Sequence, residues 1–117
     1  MVRRVNDTGL EERISNSKGF VIVAFMGDCP PCDHFRPELK KLPQTLRLND
    51  AFEPEGGIEY LLLDTEENPS AAALHKVLAV PTTILFKDGQ AVVTWEGPYA
   101  CESLARRICD AVRGKRV

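Results

Sequence analysis

The sequence has no apolar stretch long enough to cross a bilayer. Its longest such run, Phe20 to Met26, falls well short of the roughly 20 residues a spanning helix needs. It also has no excess of positive charge: 15 Lys and Arg stand against 17 Asp and Glu, a formal net charge of -2. Sequence-independent nucleic-acid binding requires a basic footprint, so that class is set aside along with membrane spanning. No apolar run follows Arg3 and Arg4, so no signal peptide is visible and the expected location is the cytosol, where thiols stay reduced. Internal repeats and low-complexity segments are missing too. Four cysteines are few for a disulfide framework, and a chain of 117 residues, 44% hydrophobic, can build a core without one. A single domain over residues 1–117 is expected, and some of the cysteines become free for chemistry.

What is present is an alternation of strands and helices. Val2 to Val5 reads as a short strand. Thr8-Gly9-Leu10-Glu11 has the capping-box spacing and predicts a helix to about Ser17, ended by Gly19. Phe20 to Met26 is continuous, apolar and β-branched, the mark of a strand buried on both faces. A helix follows from Pro30 to about Leu42, with prolines at its start where missing amide protons matter little. Pro37 should kink it and Pro43 should break or bend it, with a further turn over 44–49 and a loop over 51–57. Ile58 to Leu63 reads as a second buried strand and Ser70 to Val77 as a helix. Thr82–Lys87 and Ala91–Trp95 flank the turn Asp88-Gly89 as a hairpin. Glu102 to Val112 closes the chain as an amphipathic helix. This order implies an α/β fold with a mostly parallel central sheet and an antiparallel addition.

The chemistry concentrates at Cys29-Pro30-Pro31-Cys32, between a buried strand and a helix. Two intervening residues wound into a first helical turn bring the sulfurs within bonding reach. The helix N-terminus favours a thiolate at the first cysteine. The second can then attack a mixed disulfide and release the reduced substrate. The same spacing can be half of a zinc site or an inert accident. For zinc, the other soft candidates are Cys101, Cys109, His34 and His75. Cys101 and Cys109 lack metal-knuckle spacing, and no metal and no cofactor is expected. If both are helical they lie about 12 Å apart along the axis, beyond disulfide reach.

Four features, in order, make the chain resemble the thioredoxin family over nearly its whole length. They are the CxxC after a buried strand, Pro37 five residues past Cys32, the segment Val80-Pro81-Thr82, and Phe86-Lys87-Asp88-Gly89 followed by Gly97. The resemblance implies a thioredoxin fold, a central mixed sheet with helices on both faces. It implies Cys29 as the attacking cysteine and Cys32 as the resolving one. Pro81 would be cis, presenting the Val80 backbone to an extended substrate, and Gly97 would border the substrate groove. Partners would be disulfide-containing proteins or small molecules, with an upstream reductant similar to thioredoxin reductase.

The chain departs from the family at three positions. Asp28 stands where the family has a Trp, Ala24 where it buries an Asp, and Leu62 where it carries the paired Lys. Cys32 is thereby left without an obvious general base, with Asp28, His34 or a water chain as substitutes. Pro30 and Pro31 offer no amide protons and the Asp28 carboxylate opposes a neighbouring thiolate, which together point to a weak oxidant, hence a reductant or exchange protein. The alternative is a binding module, chaperone or adaptor with a vestigial site.

Overall fold

The computed structural model describes residues 1–48 and 54–114. Its strands are β1 (Val2–Arg4), β2 (Phe20–Met26), β3 (Ile58–Asp64), β4 (Thr82–Lys87) and β5 (Gln90–Glu96). Its helices are α1 (Asp7–Asn16), α2 (Pro30–Arg47), α3 (Pro69–Leu74) and α4 (Cys101–Val112). The sheet order is β1-β3-β2-β4-β5. β3 runs parallel to both β1 and β2, whereas β4 is antiparallel to β2 and β5 to β4. The sheet is therefore mixed, with two parallel and two antiparallel pairings, rather than mostly parallel, because β4 as well as the hairpin partner β5 runs antiparallel to its neighbour.

β2 is the spine of this sheet, and its alternating side chains feed two cores. Ile22, Ala24 and Met26 face α2 and α4, where they meet Phe35, Leu39, Leu42, Leu104 and Ile108. Val21, Val23 and Phe25 face the opposite side, with Leu10 and Ile14 of α1 and Ala71 of α3. Burial on both faces explains why the run carries no polar residue. Among the described residues no helix is long and apolar enough to cross a membrane.

Several local expectations are corrected. Asn6, not Thr8, caps α1: its Oδ1 accepts the Gly9 amide at 2.8 Å, and its carbonyl accepts the Leu10 amide at 2.9 Å. Glu11 is drawn away from any capping box by His75, 2.8 Å distant. The helix ends at Asn16, and Gly19 serves a different purpose. A Cβ there would collide with the carbonyl oxygens of Gly56 and Gly57, so the glycine permits a close backbone crossing beneath the start of β2.

α2 does not stop near Leu42. It continues through Pro37 and Pro43 to Arg47. Each internal proline costs about 3 kcal/mol. Phe35, Leu39, Leu42 and Leu46 are all buried, and each contributes about 1.5–3 kcal/mol. Packing thus outweighs the two lost hydrogen bonds. α3 is shorter than expected, ending at Leu74, and α4 begins one residue earlier, at Cys101. The hairpin turn has Asp88 and Gly89 both at positive φ, the geometry a two-residue connection favours. The further turn expected over 44–49 is part of α2 as far as Arg47. Its last residue, like 51–53 of the expected loop and residues 115–117, lies outside the described residues.

Candidate active site

The end of β2 delivers the chain to the mouth of the site. Gly27 is buried, and a Cβ on it would press against Val80 Cγ2 at 3.1 Å, so a side chain there would crowd the Val80 side chain. Asp28 is exposed. Cys29 then adopts an extended conformation and caps α2, with Pro30 and Pro31 filling the first two helical positions. Fixed proline φ values suit these positions, and their missing amide protons would have had no intrahelical partner.

Cys29 and Cys32 form a disulfide, with Cα atoms 5.1 Å apart. The two sulfurs differ sharply in environment. Cys29 is half-buried, and its Sγ lies 3.9 Å from the Val80 carbonyl oxygen. Cys32 is fully buried, among Phe35, Met26 and Ala24. One sulfur is therefore open to a partner and the other is not. The Cys32 amide donates to Cys29 Sγ at 3.1 Å, and the Gly27 amide donates to Cys32 Sγ at 3.4 Å. The prolines thus do not strip Cys29 of every amide donor: the third helical position still supplies one.

Val80 and Pro81 stand across from the disulfide. The peptide bond between them is cis. The Gly97 amide donates to the Pro81 carbonyl at 2.8 Å, which fixes Gly97 beside this segment, and its φ of 93° is one that glycine adopts without strain. A groove of about 500 Å3 opens on the other side, between Thr65 and Pro69 and the run Leu78–Val80. Leu78 is 98% exposed at its rim. The groove reaches Val80, whose carbonyl oxygen faces Cys29 Sγ.

The remaining residues singled out in the sequence separate from one another. Asp28 and His34 are both exposed, and neither side chain makes a hydrogen bond or ion pair with another described residue. Ala24 is fully buried, and Leu62 is its register partner on β3, so the place of the family's carboxylate and lysine is apolar. Cys101 and Cys109 are buried free thiols, both pushed up by burial; Cys101 Sγ donates to Thr45 Oγ1 at 3.1 Å. His75 sits on the opposite core between Phe25 and Phe86. The soft ligands considered for zinc are not brought together, and among the described residues no group of three or more His, Cys, Asp or Glu could hold a metal ion.

Gly27 and Arg36 were missed in the sequence. Arg36 donates from Nη2 to the Gly27 carbonyl at 3.3 Å, tying the helix back to the strand exit. No local motif marks this contact; only its position one helical turn past Cys32 hints at it.

Comparisons with known proteins agree with this geometry. The thioredoxin family model matches residues 1–110. A thioredoxin of Staphylococcus aureus is 36% identical over 103 residues, covering 87% of this chain and 89% of that protein. The chloroplastic thioredoxin Y1 of Arabidopsis thaliana is 34% identical over 106 residues, 90% of this chain but only 57% of that longer protein. Among solved structures, the thioredoxin of Malassezia sympodialis superposes with a TM-score of 0.77 at 20% identity, covering 96% of this chain and 91% of that one, a likeness of fold.

Proposed function

The chain belongs to the thioredoxin family, and from that premise we propose that it reduces disulfides of polypeptide substrates, with Cys29 attacking and Cys32 resolving. The observation that carries this reading is the asymmetry of the pair: Cys29 Sγ is open and faces Val80, whereas Cys32 is fully buried behind it.

In the reduced protein the Cys29 thiolate attacks one sulfur of a substrate disulfide. A Cys29–substrate bond forms, and the other substrate sulfur leaves as a thiolate and takes a proton from solvent. The Val80 carbonyl and amide lie beside the new bond, where an extended substrate backbone can pair with them. Cys32 then attacks Cys29 Sγ. The Cys29–Cys32 bond forms, the second substrate sulfur departs with the electron pair, and it too is protonated. Two electrons and two protons pass to the substrate, leaving the oxidised pair seen here. An upstream dithiol or reductase must return them.

The electrostatics favour the reducing direction. A strong oxidant needs a heavily stabilised Cys29 thiolate. Here two of the first three helical positions lack an amide proton and Asp28 adds a carboxylate next door. A reductant of this kind suits a reducing compartment such as the cytosol.

The test is dithiothreitol-driven reduction of insulin by the natural protein and by Cys29→Ser. The natural protein should accelerate precipitation of the free B chain and the variant should not. No acceleration by either would transfer the weight to a binding role.

A further inference from the structure

The strands lay a row of side chains across the sheet on the face that carries α2 and α4. Leu62 pairs with Ala24, Ala24 with Thr83, and Thr83 with Trp95. Directly paired residues point to the same face, with Cβ atoms about 4.5–5.5 Å apart. Ala24, Leu62 and Trp95 all pack in the cluster that contains Cys32. Thr83 therefore projects into the same core as the resolving cysteine. It is fully buried, and its Oγ1 has no hydrogen-bond partner among the described residues. Its neighbour Thr82, by contrast, donates to the Ala79 carbonyl at 2.6 Å.

A buried hydroxyl without a partner is destabilising, and valine would fill the same space without that penalty. An orphaned donor at this place points to a partner in another state of the reaction cycle. The oxidised state shown here has no use for the hydroxyl, because Cys32 Sγ is bonded to Cys29 and carries no charge. When the disulfide opens, Cys32 becomes a thiol and then a thiolate inside an apolar cluster. Among the described residues the one hydrogen bond to its Sγ comes from the Gly27 amide, at 3.4 Å. A buried anionic sulfur with a single long donor is poorly stabilised. Ala24 and Leu62 supply neither a carboxylate nor an ammonium group, and Asp28 and His34 are exposed. The Thr83 hydroxyl is a rotatable donor already in the row.

We propose that the Thr83 hydroxyl, directly or across one buried water, donates the hydrogen bond that stabilises the Cys32 thiolate as it resolves the mixed disulfide. This deepens the reductase reading and rests on it. The electron and proton balance is unchanged: Thr83 keeps its proton, Cys32 loses its own to solvent, and the departing substrate thiolate is protonated from solvent.

Thr83→Val and Thr83→Ser separate this role from a packing role. In the reduced full-length protein, titration of Cys32 followed by the NMR shift of its Cβ should move upward by about one pKa unit in Thr83→Val, a tenfold change in thiolate fraction. Thr83→Ser, which keeps the hydroxyl, should restore the natural value. Thr83→Val should meanwhile be at least as stable to urea in the oxidised form, and its rate of Cys29 alkylation should not change. An unmoved Cys32 titration in Thr83→Val overturns the proposal, as does a shift that Thr83→Ser fails to rescue. If valine prevents folding, Thr83→Ala carries the same titration. The readout needs no turnover, so failure of the reductase reading in the insulin assay is distinguishable from failure here.

Discussion

Replacing Ala24 by Asp puts a carboxyl group into the most apolar part of the site. Ala24 is fully buried, flanked by Leu62 and Thr83 in the sheet and packed in the cluster that includes Met26, Cys32 and Phe35. Burial without a cationic partner raises a carboxyl by about 3–5 pKa units, from about 3.9 to about 7–9. The Thr83 hydroxyl can give the new group one hydrogen bond. The neutral carboxyl should then destabilise by about 1–3 kcal/mol. The ionisation effect comes on top. For an Asp whose folded pKa is raised, the penalty is absent below the unfolded value and grows as pH rises toward the folded value. It amounts to about 1.4 kcal/mol per pH unit, hence about 4 kcal/mol by pH 7. Against a typical total stability of about 5–15 kcal/mol, Ala24→Asp should lose much of its stability at neutral pH and regain most of the loss near pH 4. Urea unfolding of the oxidised variant across that range measures both parts. A variant as stable as the natural protein at neutral pH, with no pH-dependent difference, would mean that the ground beneath Cys32 is wet or charge-compensated.

Gly19→Ala should destabilise the domain by about 1–3 kcal/mol, because the new methyl group meets backbone carbonyls that cannot swing aside; urea denaturation reads the loss. Glu38→Gln should weaken the start of α4. Glu38 Oε1 accepts the Cys101 amide at 2.8 Å, and this bond, followed by Lys41, holds the carboxyl below its usual range. A lowered folded pKa gives stability that is present above the unfolded value and lost as pH falls through the folded one. The gap between natural protein and variant should therefore be steady at neutral pH and close below about pH 4 in acid titration. In the natural protein without denaturant, Cys101 and Cys109 should react with iodoacetamide far more slowly than reduced Cys29, since both are buried and their thiols are pushed up; peptide mapping after brief alkylation shows the order.

The parts of the fold legible in the sequence are those whose cause is local. β2 announces itself because both its faces are buried, and the hairpin because Asp88-Gly89 suits positive φ. The redox pair is legible because its spacing is one helical turn. What the sequence hides are the choices that depend on distant partners. Asn6 and Thr8 are both good caps, and nothing local decides between them. In the structure Asp7 donates its amide to Asn68 Oδ1 and accepts the Ala71 amide on its own Oδ1, so starting α1 there also caps α3. Glu38 does the same for α4, whose own N-cap position is Ala100 and offers no side-chain oxygen. A helix capped from across the fold, as α4 is, carries no capping signature of its own. Pro43 reads as a breaker because its cost is local, while the burial that overrides it is tertiary. Thr83 reads as an ordinary strand threonine; only the strand register places its hydroxyl in line with Ala24.

The division of labour between the two cysteines is tested most directly by trapping. Reduced Cys32→Ser protein, mixed with insulin and quenched with acid, should carry an insulin chain disulfide-bonded to Cys29, seen by mass spectrometry without reduction. The natural protein under the same conditions should show little adduct, because Cys32 resolves it. An adduct on Cys101 or Cys109 in place of Cys29, or no adduct on Cys29 at all, would contradict the assignment of Cys29 as the attacking sulfur.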